Sequence, residues 1–196
     1  MKMSVIPSCL ELLAWLGLTP EDFNVSQAQF DHRSQIHGPS HVYRVMLEVL
    51  FIAWLRQEPQ AGRLAFFGAF IHDFGRTNDA VDPFHGQTAA ERKMPLYEPL
   101  FRRYGTNDEE LRWVRTAVTQ HSLRETLPMT DPGWPVLAIL KDADALDRCR
   151  FAGLDPNQLR YAESRALVEL AEAICERSPW EEERDFTLRE FIRWVE

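Results

Sequence analysis

Apolar residues recur at helical spacing along most of the chain, and nowhere does apolar/polar alternation run long enough to suggest a sheet. A first helix is expected over residues 8–16, stopped at Gly17, and Thr19-Pro20 opens a further short element. Beyond a polar stretch through Gln35, Gly38-Pro39 announces a helix over 40–57, with proline in the first turn, where its missing N–H is tolerated. Val45, Val49 and Ile52 line one face of that helix, and Pro59 is expected to break it. The next helix covers 62–74 and stops at Gly75; a loop over 76–83 leads to a short helix over 85–93, after which Pro95 and Pro99 punctuate the chain. Residues 108–121 form a clearly periodic helix with Leu111, Val114 and Val118 in one stripe. A proline-rich loop over 127–135 precedes helices over 134–151, 156–176 and 186–195, whose aromatic residues Trp180, Phe186, Phe191 and Trp194 are most simply core. The Glu181-Glu182-Glu183 run suits a solvated helix start, where carboxylates face the positive end of the dipole. The pattern predicts an all-α protein, one compact helical-bundle domain over 1–196, since no repeat, low-complexity tract or linker divides it.

Several side chains of metal-ligand type sit where the helical pattern asks for apolar ones. His121 extends the Leu111, Val114, Val118 stripe by the next three-residue step. Asp144 falls in the arc of Leu137, Leu140 and Phe151, whereas Asp142 projects almost to the opposite side. A carboxylate buried there needs a cation or hydrogen bonds as partner. His72 follows Ala65, Gly68 and Ala69, small residues that let a neighbouring helix come close. Asp73 sits roughly 100° further round, so both can grip one ion. His41 stands one turn into its helix, at the edge of the apolar face. Each alone has a plainer reading: His121 as a hydrogen-bonded core residue, Asp144 as a partner for Arg148, the His-Asp pair as chance. Together, on separate helices and in this order, they can converge on one interior metal.

Composition narrows the class of ligand. Hydrophobic residues make up 45% and charged residues 27% of 196 residues, as in a globular domain. The formal charge, 22 − 30 = −8, argues against nucleic-acid polymers and anionic membranes as partners. A small phosphorylated substrate is still accommodated, because a local metal outweighs distant surface charge. Cys9, Cys149 and Cys175 are widely spaced with no CxxC pair, which reads as reduced, mostly buried thiols. The apolar stretch over 5–18 contains Pro7 and Glu11, is too short to span a bilayer and lacks a basic leader, so a cytoplasmic location is expected. Nothing here decides for or against a homo-oligomer.

The text around these residues resembles the HD-domain superfamily of metal-dependent phosphohydrolases, named for a His-Asp doublet. The resemblance rests on HGPSHVYRV around His41, FGAFIHDFGR around His72 and Asp73, and ILKDADALDR around Asp144. It spans about residues 36–150 and leaves the flanking helices outside. It implies an HD-type helical core with metal ligands His41, His72, Asp73 and Asp144, the Asp of the AD-x-L step selecting Asp144 over Asp142. His85, in DPFHGQTAAE, and His121, in AVTQHSL, resemble the extra histidines of members that hold two ions or contact substrate. Gln120-His121-Ser122 stands where a double histidine followed by Glu would mark the cyclic-dinucleotide phosphodiesterases, and this departure points away from that subgroup.

A mixed histidine and carboxylate set suits Mn²⁺, Fe²⁺, Co²⁺, Ni²⁺ or Zn²⁺ better than Mg²⁺, as one ion with room for a second at His85 and His121. The implied chemistry is attack by a metal-activated water on a phosphate ester or anhydride. Asp73 would bind the metal and orient the water, and His85 or His121 would neutralise a phosphoryl oxygen or protonate the leaving group. His37 and Arg76 are candidate phosphate clamps, although Arg76 can equally pair with Asp79 or Asp82 at the surface. The expected substrate is a nucleotide or related small phosphorylated metabolite. Two other functions stay open on the same residues: a di-iron oxygenase that needs His85 and His121 for its second iron, and a non-catalytic metal-stabilised module that senses a nucleotide.

Overall fold

The structure, a computed structural model, describes residues 7–151, 153–179 and 185–196. The acidic run at Glu181-Glu182-Glu183 and the aromatic Trp180 lie outside the described residues. Every regular element among the described residues is helical, so the fold is all-α. Helix α1 (Cys9–Trp15) starts on a Ser8/Glu11 capping box that satisfies its first N–H groups. Helix α2 (Pro39–Arg56) begins at the Gly38-Pro39 signal, and every residue from Pro39 to Ala53 is buried. A helix enclosed on all sides has no single apolar stripe. Its buried polar residues His41, Arg44 and Glu48 share one face, at three- and four-residue spacing.

Helix α3 (Pro59–Ile71) corrects the sequence reading at both ends. Pro59 opens it rather than leaving a gap, because Gln57, left-handed at φ 56°, reverses the chain directly after α2. The helix also ends before the expected residue 74, so His72 caps it and Asp73 lies in the turn that follows. A second correction concerns Pro95 and Pro99, which do not interrupt the chain. Helix α4 (His85–Thr88), a π turn (Ala89–Lys93) and α5 (Met94–Arg103) run on without a break. The Met94 N–H reaches the Ala89 carbonyl, and Pro95 has no N–H to give Ala90. The Arg115 guanidinium takes that Ala90 carbonyl at 2.6 Å and so ties the π turn to α6 (Asp108–Gln120).

Two expected long helices are broken. Helix α7 (Trp134–Leu146) passes into a 3-10 turn (Asp147–Phe151), and Phe151, expected on the core side, is 53% exposed. In place of a helix over 156–176 stand a 3-10 turn (Pro156–Gln158), α8 (Ala162–Arg165) and α9 (Val168–Arg177). Asp142 accounts for this. Its buried carboxylate accepts the backbone N–H groups of Arg160 and Tyr161 at 2.9 and 3.0 Å, which holds Tyr161 extended. Helix α10 (Leu188–Val195), capped by Thr187, closes the chain.

Helix α2 packs on α3 and α7, α3 also on α6 and α7, and α6 on α7. Aromatic side chains fill the spaces next to them; Phe67, for example, stacks on Phe101 with centroids 4.5 Å apart. Phe186 and Phe191 are buried beneath α10, with Trp194 at its edge. Among the described residues no helix is long and apolar enough to cross a membrane.

Candidate metal centre

Helix ends meet around Asp73. His72 and His121 cap the C-terminal ends of α3 and α6, His85 opens α4, His41 stands near the start of α2, and Asp144 lies in the last turn of α7. Gly86 makes this approach feasible. A Cβ there would stand 2.4 Å from the Val118 carbonyl and 3.0 Å from His121 Nδ1, so a larger residue would push α4 off α6.

The two oxygens of Asp73 face different groups. Oδ2 lies 3.0 Å from His37 Nδ1, 3.3 Å from His41 Nε2 and 3.7 Å from His72 Nε2. Oδ1 lies 3.1 Å from Arg76 Nε, 3.1 Å from His85 Nε2 and 3.7 Å from His121 Nε2. Asp144 Oδ1 joins the first side, 3.5 Å from His41 Nε2 and 3.9 Å from His72 Nε2. The fold therefore brings together His37, His41, His72, Asp73, Arg76, His85, His121 and Asp144. Arg76 reaches Asp73 and not Asp79 or Asp82.

The remaining ring nitrogens decide what the facing ones can do. His72 Nδ1 donates to the Ala69 carbonyl and His121 Nδ1 to the Val118 carbonyl, each at 2.7 Å. His85 Nδ1 makes the same three-residue return, to the Asp82 carbonyl. His41 Nδ1 donates to Asp147 Oδ2 at 2.6 Å. A neutral ring that donates from Nδ1 presents a bare lone pair at Nε2. Yet the Nε2 atoms of His41 and His72 are 3.1 Å apart, and those of His85 and His121 are 2.8 Å apart. Facing lone pairs this close need positive charge between them. Donors sharing one ion at ~2.1 Å stand ~3.0 Å apart along a right-angled edge, so the spacing suits a transition ion. His41, His72 and Asp144 form one group able to hold a metal ion, and His72, Asp73 and His121 another.

Burial opposes charge on all these groups, and their mutual attraction offsets it. Burial alone would raise the Asp73 carboxyl, but the facing histidines, His72 foremost, hold it well below the usual range. Asp144 is lowered against burial in the same way, by His72 and then His41. Burial pushes His72 down to about 3, leaving a neutral ring suited to ligation. Burial also works downward on His41 and His85, but Asp147 outweighs it at the first and Asp73 at the second, so both rise. His37 falls, because its burial exceeds the pull of Asp73.

Sequence reasoning missed the groups behind these histidines. Asp147 is buried and accepts from His41 and from Arg44 Nε, with Arg150 Nε at 2.8 Å. A carboxylate behind a ligand histidine fixes the ring's direction and raises its basicity. The available signal was its place in KDADALD, one helical step beyond Asp144. Lys141 donates to the carbonyls of Gln120 and His121 at 3.1 and 3.0 Å, satisfying the end of α6 where His121 caps it. Asp142 faces Arg160 and Tyr161, away from the histidines.

A cleft of about 270 Å³ opens over Asp73. His41, His85, His121 and Asp144 also line it, and Arg148, Arg150 and Phe151 stand along its wall. No family model, curated protein or solved structure matches the chain.

Proposed function

We propose that the chain is a metal-dependent phosphohydrolase of the HD type, acting on a nucleotide or a related small phosphorylated metabolite. The observation that carries this reading is the placing of Asp73 beneath an open cleft, one oxygen toward His41 and His72 and the other toward His85 and His121. In it, His41, His72, Asp73 and Asp144 would hold one divalent ion, with room for a second at Asp73, His85 and His121. The donors are imidazole and carboxylate, the set that suits Mn²⁺, Fe²⁺, Co²⁺, Ni²⁺ or Zn²⁺, with Mg²⁺ the weaker fit. When bound, such an ion lowers the pKa of a water and polarises a phosphoryl group.

The chain's own residues do the remaining work. Asp73 stays ionised under all ordinary conditions, so it can accept a hydrogen bond from the attacking water and fix its direction. Arg76 is anchored to Asp73 through Nε and to the Ala80 carbonyl through NH1, which steadies its guanidinium at the cleft for a phosphoryl oxygen. His37 also lines the cleft, as a second polar contact for the substrate. With only the first ion present, His85, which lines the cleft 3.1 Å from Asp73, would carry the proton that a leaving oxygen needs.

A di-iron oxygenase is the second reading, favoured by the same placing of Asp73 between two pairs of histidines. Phosphate release separates the two. The protein is stripped of metal, resupplied separately with Mn²⁺, Co²⁺, Ni²⁺, Fe²⁺ and Mg²⁺, and assayed on a panel of phosphorylated metabolites beside Asp73→Ala. Metal-dependent release that disappears in Asp73→Ala is the expected result. Tight metal binding with no release from any phosphate would overturn the hydrolase, and oxygen consumption by the iron-loaded protein would then select the oxygenase.

A further inference from the structure

We propose that the turn after α7 is a recognition wall for a phosphate ester bearing a flat aromatic ring, with Arg148 receiving an anionic oxygen and Phe151 stacking the ring. The inference deepens the phosphohydrolase reading of this cleft and rests on it for the chemistry of the ligand. Three arginines line the cleft, and two are tied to neighbouring protein groups. Arg76 holds Asp73, and Arg150 lies 2.8 Å from Asp147 and donates to the Ile36 carbonyl at 2.7 Å. The Arg148 side chain is exposed, and its guanidinium has no hydrogen-bond or ion-pair partner among the described residues, although Asp144 stands one turn before it. A guanidinium left free over a cleft presents paired N–H donors that match phosphate oxygens. In a chain of formal charge −8, it also supplies a local attraction that the average field denies to anions.

Phe151 supplies the second half of the wall. It lines the cleft and is 53% exposed, unusual for a phenylalanine with a large buried core available nearby. The Arg150 guanidinium lies 4.1 Å from its ring centroid and covers one face. The ring's exposed surface at the cleft is available for stacking, steadied by a cation that is itself anchored. Gly153 also lines the cleft, and a Cβ there would meet nothing within 4 Å, so this part of the wall is open. The Gly153 N–H bonds the Arg148 carbonyl at 3.3 Å, which draws the backbone at these two residues together. One short segment thus offers an anion contact and an aromatic face together, the pairing that a nucleoside monophosphate presents.

The test uses the full chain loaded with Mn²⁺ and two probes, adenosine 5′-monophosphate and glycerol 3-phosphate. Binding is read by calorimetry and turnover by phosphate release. Phe151→Ala is expected to weaken adenosine monophosphate roughly tenfold or more and to remove its advantage over glycerol phosphate, while Phe151→Trp restores it. Arg148→Ala is expected to weaken both probes roughly tenfold, with partial recovery in Arg148→Lys. Both side chains are exposed, so these variants leave the core intact. Equal losses for the two probes in Phe151→Ala, or unchanged binding in either alanine variant, overturn the proposal. Failure of the hydrolase reading looks different: adenosine monophosphate still binds through both side chains, but no metal supports phosphate release. Failure of this inference alone leaves turnover intact and insensitive to both substitutions.

Discussion

Asp147 answers three buried partners at once, His41, Arg44 and Arg150, and its removal is felt first at the metal side of His41. Asp147→Asn keeps the shape but takes away the charge that raises the ring's basicity. Metal affinity is expected to fall roughly 10–100-fold, as read by competition with a chelator. An unchanged affinity would show that Asp147 serves only the two arginines. Tyr161 gives a residue-scale prediction far from the histidines. Burial is the main cause that raises its phenol to about 12, with the Arg56 guanidinium 3.5 Å over the ring working against that rise. An unfolded tyrosine ionises near ~10, so the native state binds more protons between ~10 and ~12, and stability falls as pH rises through that window. Tyr161→Phe should flatten part of that fall, seen as a smaller drop in urea midpoint between about pH 9.5 and about pH 11.5. Equal drops in both proteins would remove Tyr161 from the account of alkaline unfolding. His41, His121 and Asp144 were legible in the sequence because each breaks an apolar face. Asp147 and the freedom of Arg148 were not, since both depend on which neighbours the turn after α7 meets.

At the scale of elements, the site depends on helix ends being brought close, and α4 meets α6 in this way at Gly86. Gly86→Ala would place a methyl 2.4 Å from the Val118 carbonyl, which is backbone and gives way little. A destabilisation of about 1–3 kcal/mol is expected from urea unfolding, together with weaker metal retention as His85 moves from His121. Gly153→Ala, which meets open space, should stay within about 0.5 kcal/mol of the wild type. Equal stability for the two variants would contradict the close packing of α4. Helix existence was readable from periodicity, but several boundaries moved for reasons outside local pattern. Pro59 starts a helix because Gln57 has already turned the chain, Pro95 is absorbed because Arg115 takes an orphaned carbonyl, and Asp142 keeps residues 160–161 out of a helix.

Across the whole molecule, α2 runs enclosed by its neighbours and carries a polar face through an apolar interior. His41 on that face reaches Asp73, where the ends of α3, α4, α6 and α7 converge, and Arg44 reaches Asp147, so the core holds ionisable groups in place and burial tunes their charge. The all-α class followed from the spacing of apolar residues, whereas the two-sided arrangement around Asp73 needed the tertiary structure, because His85 and His121 approach it from separate elements. The most direct test of that arrangement is elemental analysis of the wild type and Asp73→Ala after metal removal, reloading with Mn²⁺ or Fe²⁺ under argon and removal of excess ion. About two ions per chain are expected in the wild type and one or none in the variant, since Asp73 would contribute one oxygen to each position. A wild type that retains no ion, or an Asp73→Ala protein that retains as many as the wild type, would contradict it.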